Sequence, residues 1–251
     1  GSEMCIRDSG RRNDVVYLTT GQSFLGYVKF LPFMWATRIR HSNYFIHIHG
    51  ANFRRMYDDL SDLRKGIVKR SIQKAAGAIV SGESLRAMFE GLISDDSIYV
   101  CDNGIPDSWF ATEEEIDAKQ RENSCKQRLN VVYLGNAMES KGILDLLEAI
   151  CVIKDTTDTD IHLDIVTSGI EPKIENEFKQ RTSNLGSSVT VHKNASNEKK
   201  KRVLFACRVF CLPSKHPYGE GQPISIIEAM AAGCAIVTTK VGGIQDMLVG
   251  T

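Results

Sequence analysis

Short apolar runs rich in β-branched residues alternate with helical patterns along the 251 residues, and that alternation predicts an α/β protein built on parallel sheets. A second observation divides the sheet strands into two groups. The stretch TEEEIDAKQRENSCKQR (112–128) is charged and carries no core pattern, so it separates four candidate strands from five. The length suits one large or two small domains, and 42% hydrophobic with 25% charged residues is an ordinary globular composition.

Each element is set by its own residues. DVVYLTT (14–20), YFIHIHG (44–50), GAIVS (77–81) and SIYVC (97–101) read as the first strands, with NGIP (103–106) as the turn that closes the set. The run FLGYVKFLPFMWA (24–36) holds Lys29 and Pro32 and is too short for a bilayer, which needs roughly 20 apolar residues. It reads as a buried helix of the first domain. FRRMYDDLSDLRKGIVKRSIQKA (53–75) is helical, and Lys65 with Lys69 and Arg70 with Lys74 sit four apart in a basic stripe. Such a stripe suits anionic lipid headgroups or a phosphate-bearing acceptor; the competing reading is a solvated face partly offset by Asp58, Asp59 and Asp62.

The second set of strands falls near 131–135, 161–167, 189–192, 208–212 and 234–239. The expected organisation is therefore 10–111 as a first domain, 112–129 as a linker and 130–251 as a second domain. GSEMCIRDS (1–9) shares no sequence logic with the rest of the chain and is set aside as a non-native leader. With 31 residues of each charge sign there is no general nucleic-acid-binding surface. The seven cysteines have no zinc or redox spacing, Cys207 and Cys211 being the closest pair, and they read as reduced thiols of a cytoplasmic protein.

The chemistry concentrates in PSKHPYGEGQPISIIEAMAAGCAIVTTK (213–240). Pro213, Pro217, Gly219 and Gly221 forbid a helix through the loop, whereas Pro223 suits a first helical position. Ile224, Ile227, Met230 and Ala231 define the expected buried face, and Gly233 is placed to end the helix in a left-handed conformation. VFCLP (209–213) precedes the loop and CAIVTT (234–239) comes after the helix, so the loop lies at the carboxyl end of a parallel strand, where open α/β sheets take ligands. Glu220 falls in the loop and Glu228 in the helix, about 7.5 Å along the axis from Pro223 at about 1.5 Å per residue. Backbone N–H groups from Gly221 to Ser225 suit a phosphate or a polar sugar, and the two carboxylates suit its hydroxyls. The plainer alternative is a solvated helix glutamate and a loop charge.

At these residues the chain resembles the retaining glycosyltransferases of family 4, whose GT-B fold has two Rossmann-like domains. Pro213, Ser214, Glu220, Gly221, Pro223, Glu228, Ala229, Met230, Ala231 and Gly233 match that family's two-glutamate motif. VGGIQD (241–246) is similar to its glycine-pair continuation, with Asp246 where glutamate is usual. VVYLG (131–135), NAMESK (136–141) and GILDLLEAICVI (142–153) resemble its strand, loop and helix ahead of the motif, with Ile143, Leu146, Leu147 and Ile150 inward. NYFIHIHGANFRR (43–55) looks like its first-domain strand ending in His-Gly, with His47 packed beneath His49.

The resemblance implies transfer of a sugar from a UDP- or GDP-linked donor to an acceptor hydroxyl, in polysaccharide or glycolipid synthesis. It implies Glu220, Lys141 and His49 as catalytic residues: Glu220 on the donor sugar, Lys141 on the diphosphate and His49 on the transferred sugar or the acceptor. Glu228 would hold the ribose, with Gly221, Gln222, Pro223, Ile224, Asn136 and Gly135 completing the donor site. Asn136 stands where many members carry arginine, which removes one bidentate phosphate clamp. No cofactor or metal is implied. The implied partners are the nucleotide sugar and a carbohydrate or lipid-linked acceptor; the basic stripe and the apolar run 24–36 leave room for a peripheral membrane contact at its inner face, and the balanced charge speaks against nucleic acid. Measured against a family member, the chain is a fragment lacking part of both ends. The rival readings are a non-catalytic nucleotide-sugar-binding or scaffolding module of the same shape, and a Rossmann oxidoreductase, against which the missing G-x-G-x-x-G counts.

Overall fold

A computed structural model describes residues 14–125, 128–216 and 219–248. The expected leader, 1–9, lies outside the described residues. The chain forms two compact units: Gly1–Asn103 with Tyr218–Gln222 and Val241–Thr251, and Gly104–Pro217 with Pro223–Lys240.

The first unit runs β1 (Val15–Thr19), α1 (Phe24–Val28), α2 (Leu31–Ile39), β2 (Asn43–Ile48), α3 (Phe53–Asp58), α4 (Asp62–Ile72), β3 (Gly77–Val80) and β4 (Ile98–Val100). Its four strands pair in sequence order, all parallel, with Leu18 opposite Ile46 and Ile46 opposite Ala78. Tyr44, Ile46, Ile48, Ala78 and Val80 are fully or almost fully buried. Period-two alternation therefore puts one face of the sheet in the core.

The apolar run 24–36 differs from the single buried helix expected of it. Pro32 lacks an N–H and occupies the first turn of α2, so the run breaks into two helices. Ser23 caps the first by accepting from the Gly26 N–H at 3.1 Å. Tyr27, Phe30 and Met34 turn inward, but Leu25 and Trp35 remain 77% and 67% exposed, so the run is amphipathic.

The second unit runs α5 (Glu113–Cys125), β5 (Leu129–Leu134), α6 (Ile143–Thr156), β6 (Ile161–Thr167), α7 (Glu175–Leu185), β7 (Val189–Lys193), α8 (Asn197–Ala206), β8 (Val209–Leu212), α9 (Ile224–Ala231) and β9 (Ala235–Thr238). A short α10 (Ile244–Met247) belongs to the first unit. The five strands are parallel in the order β7-β6-β5-β8-β9. Both units thus have the parallel, helix-connected sheets of the expected fold class. On α6, Ile143, Leu146, Leu147 and Ile150 are buried as their spacing predicts.

Two local readings are corrected. The segment expected to be an exposed linker is helical from Glu113 onward because Thr112 and Glu115 form a reciprocal capping box, with N–H to side-chain distances of 2.9 and 3.2 Å. Lys119 on that helix is buried, and its ammonium donates to the Ala232 carbonyl at 2.7 Å and the Leu204 carbonyl at 3.1 Å. A charged residue with backbone partners carries no apolar signal, which hid this packing face. On α9 the buried face agrees with expectation at Ala231 and departs from it elsewhere: Ile226, Ala229 and Ala232 are also buried, while Ile224 and Met230 are exposed. Gly233, at φ +66°, ends the helix as anticipated.

Candidate functional site

In the second unit the strand order reverses between β5 and β8, since β6 and β7 continue to one side and β9 to the other. That reversal is a topological switch point, and the loops beyond its carboxyl ends are where open α/β sheets take ligands. The loop after β5 holds Gly135, Asn136 and Lys141; the loop after β8 holds Ser214 and Lys215. They touch directly, since the Lys215 N–H donates to the Ser140 carbonyl at 2.8 Å.

Gly142 makes this approach possible. It adopts φ +69°, and a Cβ there would overlap the Pro213 carbonyl oxygen. Lys141 is thereby set at the start of α6, next to the backbone that meets the neighbouring loop. Asn136 is exposed, and its carbonyl accepts from the Tyr133 hydroxyl at 2.7 Å. Lys215, in contrast, pairs with Asp145 at 2.8 Å across an exposed surface.

Pro223 is the N-cap of α9, Ile224 opens the helix with its side chain half exposed, and Glu228 lies one turn further on. Partial burial raises the Glu228 carboxyl above the usual carboxylate range, a shift partly opposed by the charge of Lys200. The first N–H groups of such a helix have no intrahelical acceptors and favour an anion.

The remaining candidates fall in the first unit. His49, just past β2, is exposed and lies over buried His47, with ring centroids 3.8 Å apart. Burial pushes the His47 imidazole down to about 4, and the neighbouring His49 adds to the effect. His47 is therefore neutral at physiological pH, with Nδ1 bonded to the Tyr17 hydroxyl. This agrees with the expectation that His47 packs beneath His49.

Glu220, Gly221 and Gln222 belong to the same unit. A Cβ at Gly221 would overlap the His49 carbonyl, so the backbones of these two candidate stretches are in contact. The Glu220 carbonyl accepts from the Gly243 N–H at 2.8 Å. Gln222 is buried, with its amide oxygen 2.8 Å from the Asn103 N–H and its amide nitrogen 2.7 Å from Asp102. Its side chain is thus committed to fastening the loop beyond β4.

Sequence reasoning missed Asp102, Asn103 and Ser84, which hold the loop carrying Glu220 through contacts more than 100 residues distant in sequence. No local pattern signals such pairs. Thr112 and Glu115 did carry a readable signal, a capping box at the required spacing.

Residues 128–250 match the model of the family described as Glycosyl transferases group 1. The protein named teichuronic acid biosynthesis glycosyltransferase TuaC in Bacillus subtilis (strain 168) is 29% identical over 207 residues, covering 81% of this chain and 48% of that protein. The phosphatidyl-myo-inositol mannosyltransferase of Mycolicibacterium smegmatis is 25% identical over 185 residues, covering 73% of this chain and 45% of its own length. Among solved structures, Anabaena HepE in complex with UDP and glucose superposes with a TM-score of 0.69 at 16% identity, over 94% of this chain and 61% of HepE. The chain is similar in sequence to these glycosyltransferases, and its two parallel-sheet units have the GT-B fold of the solved structures. It spans about half the length of these curated relatives.

Proposed function

We propose that the protein containing this chain is a retaining glycosyltransferase of family 4, moving a sugar from a UDP- or GDP-linked donor to a carbohydrate or lipid-linked acceptor in polysaccharide or glycolipid synthesis. The observation that carries the reading is the switch point of the second unit, where the loop bearing Lys141 meets the loop that leads into the two-glutamate motif. A nucleoside diphosphate lies there with its phosphates toward Lys141 and the amino end of α9. As the bond between the anomeric carbon and the phosphate oxygen breaks, negative charge grows on the departing diphosphate. A lysine ammonium and helix-start amides stabilise that charge more in the transition state than in the bound donor. Glu228 is, by the family resemblance, the residue for the ribose hydroxyls, Glu220 for the hydroxyls of the sugar, and His49 for the sugar or the acceptor. By the family resemblance, retention comes from attack on the leaving-group face, with the departing phosphate taking the acceptor proton.

The HepE complex with UDP and glucose, and relatives named for teichuronic acid and phosphatidyl-myo-inositol chemistry, support this donor and acceptor class. Replacing Lys141 by alanine in the intact protein lowers kcat by about 100-fold, the scale for losing one charge-stabilising contact, and leaves the melting temperature within a degree or so. A thermal-shift panel of UDP, GDP, ADP and their sugars identifies the base. Selective stabilisation without transfer to any acceptor would instead mark a binding module.

A peripheral membrane contact belongs to the same reading. Trp35, Arg38 and Ile39 share one face of α2; Leu63, Ile67 and Arg70 share one face of α4, with Lys74 just beyond. The four apolar side chains are exposed. The Lys74 ammonium is lowered from its ordinary value by desolvation and by the charges of Arg38 and Arg70, so these cations cluster. Among the described residues no helix is long and apolar enough to cross a membrane. Flotation with phosphatidylglycerol vesicles but not phosphatidylcholine vesicles, lost in an Arg70→Glu/Lys74→Glu variant, is the expected result. Equal flotation with both lipids would remove the cationic cluster from the argument.

A further inference from the structure

The stretch Gly219–Gly221 is gripped from two sides within the first unit. On one side Gly221 lies against the backbone of His49 and Gly50, where a Cβ would overlap the His49 carbonyl. On the other side the turn containing Gly242 and Gly243 closes over Glu220. The Gly243 N–H donates to the Glu220 carbonyl at 2.8 Å, and a Cβ on Gly242, which sits at φ +52°, would overlap that same oxygen. Contact this close admits no side chain at any of the three glycines. The position of Glu220 is therefore set by the position of the turn.

What fixes the turn is Asp246. Its Oδ2 receives the Ser84 N–H at 2.9 Å and the Ser84 hydroxyl at 2.7 Å, and the Gly242 carbonyl is 3.2 Å from the same hydroxyl as its alternative acceptor. Gly82 leaves the space that this carboxylate fills, since a Cβ there would overlap Oδ2. A side chain one methylene longer at 246 would push its carboxylate into the Gly82 backbone. Two bonds to an anion from one residue form a strong and directional clamp.

We propose that Ser84 and Asp246 are positioning residues for Glu220. The carboxylate clamp on Ser84 holds the Gly242–Gly243 turn, the turn holds the Glu220 backbone, and Glu220 meets the donor sugar at the angle so set. The inference rests on the reading of Glu220 as the sugar-contacting glutamate.

Steady-state kinetics on the intact protein test it, with Glu220→Gln, Asp246→Ala and the double variant measured together. A misplacement of about 1 Å at a reacting centre costs up to about 100-fold. Asp246→Ala should therefore lower kcat by about 10- to 100-fold, while the Kd for the bare nucleoside diphosphate, which lacks the sugar, changes less than about twofold. The double variant should be no slower than the slower single variant, because both changes remove one contact. Asp246→Asn, which keeps an oxygen facing Ser84, should recover most of the rate. If Asp246→Ala fails to fold, Ser84→Ala, which keeps its N–H bond, carries the test with a smaller loss of the same kind. Full additivity of the two losses, or a loss of bare-nucleotide affinity matching the loss in kcat, would overturn the positioning role while leaving Glu220 in place. Normal turnover by Glu220→Gln alone would overturn the reading of Glu220, and this couple with it.

Discussion

Replacement of Gly142 by alanine isolates the energetic cost of bringing the two donor-side loops together. Residue 142 adopts φ +69°, a conformation that costs an L-residue about 1–2 kcal/mol. The added Cβ would also overlap the Pro213 carbonyl oxygen, which belongs to the backbone and yields only if the loop moves. Overpacking of that kind costs about 1–3 kcal/mol, so the variant should lose about 2–5 kcal/mol in all. Gly233→Ala is the matched control in the same unit. It has nearly the same φ, +66°, but its Cβ would meet only the far end of the Ile116 side chain, which can rotate away. Its cost should stay near the conformational term alone, about 1–2 kcal/mol. Urea unfolding followed by tryptophan emission suits the comparison, because of the two tryptophans Trp109 is buried in the second unit and Trp35 is already exposed in the first. The emission shift therefore reports the unit that carries both substitutions. Equal midpoints and equal slopes for the two variants would refute the argument that the Lys141 loop is pressed against the loop after β8.

Two pH dependences arise from burial. His47 titrates at about 4 in the folded protein against about 6.5 when unfolded, so the unfolded state binds the extra proton between those values. Its contribution is fully favourable above about pH 6.5 and is lost as pH falls toward 4, by up to about 3 kcal/mol. Melting curves at pH 7 and 4.5 should show a smaller loss in His47→Gln than in the parent, and parallel losses would dismiss the histidine as the cause. Glu228 has the opposite chemistry, a carboxyl raised by burial, so it protonates at a higher pH than an ordinary glutamate. Donor affinity measured by calorimetry should weaken as pH is lowered from 7 to 5, because a protonated carboxyl offers the ribose a poorer pair of acceptors. Glu228→Gln should bind weakly with no such slope.

Much of this was legible in the sequence, and the exceptions have physical causes. The nine strands among the described residues fall where short apolar runs lie between breakers, which is the signal those runs carry. The inward face of α6 was readable because four large aliphatic residues mark it. On α9 the sequence offers six apolar residues in eight positions, so periodicity alone does not choose the face. Lys119 and Gln222 were opaque for another reason. Each is a polar side chain buried against backbone groups distant in the chain, and hydropathy assigns such residues to solvent.

Titratable clusters test whether a polar group works on a ligand or merely completes the fold, and the second unit provides one of each. Asp164 on β6 accepts from His192 at 2.7 Å, lies 3.9 Å from His162 and takes the Cys207 thiol at 3.7 Å. His162 in turn meets Thr190 at 3.0 Å and Arg128 at 2.9 Å. The composition of this group invites a catalytic reading, but its bonds run among its own members and to the Ser187 carbonyl, which His162 meets at 3.1 Å. His162 enters β6 near its amino end and His192 lies toward the carboxyl end of β7, and neither strand is one of the pair, β5 and β8, between which the sheet order reverses. Asp164→Ala should therefore strip two partly buried imidazoles and a thiol of their common acceptor and cost about 1–3 kcal/mol in stability. Donor affinity should be unchanged within about twofold, because the histidines and the carboxylate lie on β6 and β7 and not on the strands where the order reverses. Lys141→Ala should show the reverse pair of effects. A donor Kd that weakens tenfold or more in folded Asp164→Ala would place the cluster in communication with the crevice and undo the assignment of function to one end of the sheet.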